Sequence, residues 1–210
     1  MLTSLLAIAV LHWAVLVIPG FNFVLVGQLA AGGSRTAAFS AVAGMTAATL
    51  AWATLAIAGV GIVFTAHPAL RGTAQIAGGL YLLYIAFKLW RSGRQGTVVT
   101  TPVLGAPAAF RAGFMTSILN PKIALFYGSV FATALPQDPP LFLVALSVLL
   151  VFANSAVWHS SLALLFSRQT IQSAYMRNYQ ALNRLSGAVV GAYGAKLIAS
   201  AVTEFRSRVA

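Results

Sequence analysis

Apolar positions run unbroken by charge over three long stretches, 1–34, 36–70 and 139–167, none of which holds an Asp, Glu, Lys or Arg. About twenty apolar residues cross a bilayer as a helix, so each stretch is long enough to span. Together with the shorter apolar runs between them, the pattern predicts six spans, at about 3–27, 38–64, 73–91, 112–135, 140–166 and 185–204. Strands of a membrane barrel would be short and strictly alternating, so the spans are expected to be helices. Pro68 and the prolines at 136, 139 and 140 mark tight connections, while 92–107 is a polar linker rich in Gly, Thr and Pro. A second polar loop is expected at 167–184. The chain is thus expected to be one transmembrane domain over 1–210: repeat one about 1–91, linker about 92–110, repeat two about 111–210.

Two of the runs are interrupted alike. Val17-Ile18-Pro19-Gly20-Phe21-Asn22 breaks the first and Leu119-Asn120-Pro121-Lys122 breaks the fourth, with the two prolines 102 positions apart. A proline inside a helix removes one N–H and frees the carbonyl four residues back, here Val15 and Ser117. In lipid such open backbone survives only where protein or a water-filled cavity surrounds it. Interruptions at matching places in two halves point to a transporter binding site. Three spans per half is an odd number, so the halves insert with opposite orientation. The fold class expected is all-α and integral to the membrane: six helices as two inverted three-helix repeats, with helices 1 and 4 broken by proline.

Composition agrees and narrows the function. Hydrophobic residues make up 60% of the chain and charged residues 7%, against about 25% charged in a soluble domain. The net charge of +11 does not imply nucleic acid, because the basic residues have no soluble domain to sit on. It orients the chain instead. The odd-numbered connections and their helix ends carry Arg35, Lys88, Arg91, Arg94, Arg111, Arg168, Arg177 and Arg184, while the opposite side carries Arg71, Arg206 and Arg208. The positive-inside rule places the first set in the cytoplasm and both termini outside. The first span lacks a basic leader and a small-residue cleavage site, so it is expected to be a retained helix. The absence of cysteine removes disulfides, thiolate nucleophiles and soft metal sites.

Several segments together are more specific. Pro19-Gly20-Phe21-Asn22-Phe23, the third-span run from Gly79 through Tyr81 and Tyr84 to Lys88, and the run from Gly113 to Asn120-Pro121-Lys122 resemble the LysE/RhtB family. These are bacterial exporters of lysine and of homoserine or threonine. The similarity covers nearly the whole chain in the same order. It implies a small protein of the bacterial cytoplasmic (inner) membrane that moves amino acids outward, in exchange for protons. Two departures bear on the substrate. Phe21 stands where the family usually has a second proline, and the five residues after Gly44 hold no acidic group.

An exporter of zwitterions needs a place for a carboxylate, a place for an ammonium and a group that couples. The half-helix after Pro19 presents N–H groups near Gly20, Phe21 and Asn22 at its positive end, which suits a carboxylate. Asn22 and Asn120 each offer donor and acceptor atoms. Lys122 can pair a carboxylate, or can snorkel to the interface. The prolines can instead be packing kinks, and the asparagines polar glue between helices. Tyr81 and Tyr84 fall in an aromatic series with Phe87 and Trp90 that fits either an interfacial belt or a cavity wall. The only acidic residues, Asp138 and Glu204, are placed at the outer face. A second positive charge on the cargo would lack a counter-ion, so a neutral amino acid is favoured over a basic one.

Without intramembrane carboxylates, the candidates for proton coupling are His159 and His12, since histidine titrates near neutral pH. His159 sits in a polar patch that includes Asn154, Ser155, Ser160 and Ser161. The plain alternative for each is a hydrogen-bonded interior histidine. Gly187 and Gly191 form a Gly-x-x-x-Gly step with Gly194 beyond it, expected to permit close packing within one protomer or in a homodimer. Rival cargoes within the same superfamily, a metal ion or a lipid, find less support, because two histidines are too few for a metal site. No metal or other cofactor is expected, and no nucleotide-binding loop is present. A membrane-embedded enzyme would need an acid to orient a Ser/His pair, and none is at hand.

Overall fold

A computed structural model of the chain describes residues 1–18, 20–66, 70–91, 104–136 and 138–209. The described residues form helices α1 (Leu2–Leu16), α2 (Phe21–Ala31), α3 (Arg35–Ala66), α4 (Leu70–Arg91), α5 (Ala106–Ile118), α6 (Pro121–Ala134), α7 (Leu141–Leu165), α8 (Gln169–Arg177) and α9 (Tyr179–Val209). The protein is all-helical among these residues. Among the described residues three helices are long and apolar enough to cross a membrane, within α3, α7 and α9, and α1 and α2, bent by 59° at their break, are long and apolar enough only when taken together. Helix α6 is apolar but shorter. Large apolar side chains such as Leu2, Leu55, Leu80, Phe142 and Leu149 lie on the outside, as they do where the solvent is lipid rather than water.

The polarity of α7 shows how the bundle is built. Leu143, Ser147, Val151, Asn154, Ser155, His159 and Leu162 are buried, a single stripe at helical spacing. Leu149, Phe152, Val157 and Leu164 face outward. The polar groups of a membrane helix thus point into the bundle, where partners can satisfy them.

Two close crossings hold the bundle together. Helix α3 lies along α5, and α4 along α9. A methyl group at Gly44 would strike the Phe110 carbonyl, and one at Gly113 the Ala41 carbonyl, so α3 and α5 touch backbone to backbone. In the second crossing a Cβ on Gly79 would lie 2.9 Å from the Gly194 carbonyl, and one on Gly194 would lie 2.8 Å from that of Gly79. Gly187 likewise meets the Ala86 carbonyl at 3.0 Å. The glycine step of α9 therefore packs within the protomer, small residues letting backbones approach.

Two sequence-based expectations change. The polar segment 167–184 is not a loop: α8 occupies 169–177 and α9 begins at Tyr179. Polar residues that can pair with water still support a short helix at the edge of a bundle. The carbonyls of Val15 and Ser117 are not free either. Each accepts a hydrogen bond at 3.3 Å, from the N–H of Ile18 and of Asn120, because the last turn before each break tightens to i→i+3 bonding. Pro19, His67, Pro68 and the greater part of the linker (92–103) lie outside the described residues, as do the side chains of Pro121, Lys122 and Arg71.

Candidate functional site

The two breaks are built alike. Helix α1 closes with Val17 N–H on the Trp13 carbonyl at 3.1 Å and Ile18 N–H on Val15 at 3.3 Å; α5 closes with Leu119 N–H on Met115 at 3.1 Å and Asn120 N–H on Ser117 at 3.3 Å. Each atom of the second set lies 102 positions after its counterpart, the spacing of the two prolines. After the breaks the chain restarts as α2 and α6, with Gly20 as the N-cap of α2 in an extended conformation (φ −139°) and no side chain capping it.

A cavity of about 90 Å³ opens between the breaks, room for several waters. It is lined by His12, Val15 and Ile18 of the first arm, Gly20, Phe21, Asn22 and Phe23 at the start of α2, Thr49 of α3, Asn120, Ile123, Phe126 and Tyr127 around the second break, and Trp158 and His159 of α7. No acidic or basic side chain is among the described lining residues, histidine apart. The cavity lies where two apolar clusters meet. One joins α1, the second half of α3, α4, α6, α7 and α9, and the other joins α2, α5, the first half of α3 and the end of α7.

Hydrogen bonds tie the breaks together. Asn22 Nδ2 donates to Ser117 Oγ at 2.9 Å, while Asn22 Oδ1 is buried without a partner among the described residues. Trp52 Nε1 donates to the Ile118 carbonyl at 3.2 Å, so α3 satisfies backbone that the second break exposes. On the other side Trp158 lies edge-on to Trp13, ring centres 5.9 Å apart. The Tyr127 hydroxyl and His12 Nε2 are 2.8 Å apart, and the His12 ring stacks on Phe126. His159 Nδ1 is 2.9 Å from the Ser155 carbonyl. A carbonyl only accepts, so this bond places a proton on Nδ1 and leaves Nε2 as the acceptor of the neutral ring.

Of the residues singled out by sequence, the structure brings Gly20, Asn22, Asn120, His12 and His159 to one cavity. Tyr81 and Tyr84 are elsewhere. They sit on α4, where Tyr84 is 54% exposed with the Lys88 ammonium over its ring at 5.3 Å, and Tyr81 packs against the first apolar cluster. Ser117 was singled out for its backbone carbonyl and not for its hydroxyl, and Thr49, Trp52, Tyr127 and Trp158 were not singled out. One signal was available: Thr49-Leu50-Ala51-Trp52 and Ser155-Ala156-Val157-Trp158 are the same hydroxyl-x-x-Trp pattern, once in each half. Among the described residues no three His, Cys, Asp or Glu gather as metal ligands.

Comparison with known proteins places these features. The sequence pattern of the family described as LysE type translocator matches residues 13–201. The chain is 27% identical over 205 residues to the threonine efflux protein of Escherichia coli (strain K12), covering 95% of this chain and all of that one. It is 23% identical over 213 residues to an uncharacterized membrane protein of Haemophilus influenzae, covering 95% of this chain and 98% of that one. To the leucine efflux protein of Salmonella choleraesuis it is 27% identical over 128 residues, 60% of each chain. No solved structure matches.

Proposed function

The chain belongs to the LysE type translocators, and from that premise we propose that it exports a small neutral amino acid from the cytoplasm in exchange for protons. The observation that carries the proposal is the cavity between the two breaks, which has polar groups for a zwitterion and, among the described lining residues, no charged side chain to balance a second charge on the cargo. Relatives named for threonine and leucine efflux are in keeping with it.

In this proposal the substrate carboxylate meets the N–H groups at the uncapped start of α2, at Gly20, Phe21 and Asn22, where the helix dipole is positive. The ammonium meets Asn22 Oδ1, which no described group occupies, and the Asn120 side chain. Ile123, Phe126 and Trp158 take the apolar part of the cargo. Pro19 and Pro121 hold the breaks open, and Lys122 attracts the carboxylate on its way in. His159 and His12 carry the coupling proton. For Tyr81 and Tyr84 the role proposed is packing and interface on α4 rather than contact with substrate.

The arrangement proposed is two inverted three-helix repeats in the cytoplasmic membrane, odd-numbered connections inside and both termini outside. The helix contacts support it, because many survive exchange of the halves. Helix α3 touches α5 as α7 touches α1, α3 touches α6 as α7 touches α2, and α1 touches α6 as α5 touches α2. The pairs that would lie on the axis, α3 with α7 and α4 with α9, are both in contact. The contacts of α4 with α6, of α2 with α3 and of α1 with α9 have no counterpart of similar extent.

The test is efflux from cells preloaded with labelled threonine, homoserine, leucine, cysteine and lysine, with and without a protonophore. Intact protein is compared with Asn120→Ala at equal membrane abundance. Export of a neutral amino acid, abolished by the protonophore and by the substitution, is expected. Selective export of lysine would overturn the charge argument, and export indifferent to the protonophore would overturn the coupling.

A further inference from the structure

His12 and His159 are 3% and 4% exposed, they reach the cavity from different helices, and three hydroxyls run between them. His12 Nε2 is 2.8 Å from the Tyr127 hydroxyl. The Tyr127 hydroxyl and Thr49 line the same cavity and share no hydrogen bond there. Thr49 Oγ1 is 3.2 Å from Ser155 Oγ, and Ser155 Oγ is 3.2 Å from His159 Nδ1. The hydrogen bonds join α1 to α6 and α3 to α7, leaving one open joint, between Tyr127 and Thr49. Other buried or half-buried hydroxyls of this bundle behave differently. Thr46, Thr116, Thr133 and Ser147 each donate to a carbonyl one turn back, the ordinary use of a hydroxyl within a helix. Thr49 and Ser155 face each other across the helix boundary instead.

Resting on the proton-exchange function proposed above, we infer that His159, Ser155, Thr49, Tyr127 and His12 form a proton relay, in which three hydroxyls pass the coupling proton between two histidines of different helices. A hydroxyl donates and accepts at once, so a row of them transmits a proton with only small movements. When the cavity supplies a proton to His159 Nε2, the ring holds two. His159 Nδ1 then passes its proton to Ser155 Oγ, Ser155 passes its own to Thr49 Oγ1, Thr49, once the open joint closes, to the Tyr127 oxygen, and Tyr127 to His12 Nε2. Each O–H bond broken is matched by one formed, and the net change is one positive charge moved from α7 to α1. The Ser155 carbonyl, 2.9 Å from Nδ1, favours the state in which His159 keeps its proton. His12, stacked on Phe126, has no such acceptor at Nδ1 among the described residues. The transfer is thus uphill until something else changes, as a coupled transporter requires.

Few ionisable groups surround the relay. Helix α6 brings Tyr127 and α7 brings His159 against α1; α4 adds Tyr81 and α9 adds Tyr193 to the same apolar cluster. Helices α2 and α3 bring only neutral groups, Asn22 and Thr49, to the cavity, and no described Asp, Glu, Lys or Arg lines it.

The test uses the full chain in proteoliposomes, with the amino acid that wild type exports most strongly among threonine, homoserine, leucine, cysteine and lysine. Uptake driven by a pH gradient is divided by exchange of labelled for unlabelled amino acid at equal pH. Tyr127→Phe, Thr49→Val and Ser155→Ala are expected to lower that ratio at least tenfold, and Thr49→Ser and Ser155→Thr, which keep the hydroxyl, to return it to within threefold of wild type. Ratios within twofold of wild type for the hydroxyl-free variants would overturn the relay alone. So would a loss that the hydroxyl-bearing variants do not repair. A wild-type protein whose transport ignores the pH gradient would overturn the proton exchange and the relay with it.

Discussion

Asn22 donates from Nδ2 to Ser117 Oγ at 2.9 Å, across 95 positions of sequence, and so fastens the start of α2 to the last turn of α5. The bond joins the two broken helices at the cavity and leaves Asn22 Oδ1 without a described partner, the atom proposed to meet the ammonium. Replacement by alanine removes both functions. Asn22→Ala is expected to cut efflux at least tenfold, with a loss of stability of only about 1 kcal/mol, the usual net worth of one hydrogen bond. Efflux and thermal unfolding in detergent, at equal protein amounts, separate the two effects.

Trp52 caps the Ile118 carbonyl from a neighbouring helix. Trp52→Phe keeps an aromatic ring and deletes the donor, leaving an acceptor unsatisfied at about 1–3 kcal/mol. A lower unfolding temperature is expected for Trp52→Phe, and an unchanged one would show that the carbonyl finds another donor.

The glycines divide by what surrounds them. Gly113→Ala pushes a methyl group into the backbone of α3, whereas nothing lies within 4 Å of a Cβ at Gly128. Membrane abundance is expected to collapse for Gly113→Ala and to hold for Gly128→Ala, since alanine is the better helix former by about 1 kcal/mol. Immunoblots of membrane fractions make the comparison directly.

Phe21 is the first residue of α2 and is 77% exposed, and the preceding Gly20 is extended. The first helical position tolerates proline because its N–H has no partner within the helix, and a residue before proline favours extended backbone. Phe21→Pro is therefore expected to keep abundance and unfolding temperature close to wild type, and, since it deletes one N–H proposed to meet the carboxylate, its effect is expected on efflux itself, read with the same panel.

The apolar runs and the two prolines were enough to locate the helix breaks, because a missing N–H acts locally and within a turn. Gly20, Asn22 and Asn120 follow from the same local logic, and His12 and His159 from being ionisable where few groups are. Tyr127, Trp52 and Ser117 were not legible, because their roles are made by partners between 66 and 115 positions away. Local spacing carries no sign of such pairings. Helix α8 escaped for the opposite reason: its sequence is polar enough to pass for loop, and only its short length and place beside α9 let it coil.

Thr49 and Ser155, 106 positions apart and 3.2 Å from each other, would be mutual images under the proposed two-fold. A residue that faces its own image cannot be purely a donor or purely an acceptor, and it cannot carry charge, since like would then repel like at contact distance. Among small side chains the hydroxyl meets that demand without adding bulk. The pairing of a threonine with a serine at this point is what self-complementarity selects, whatever cargo moves beside it.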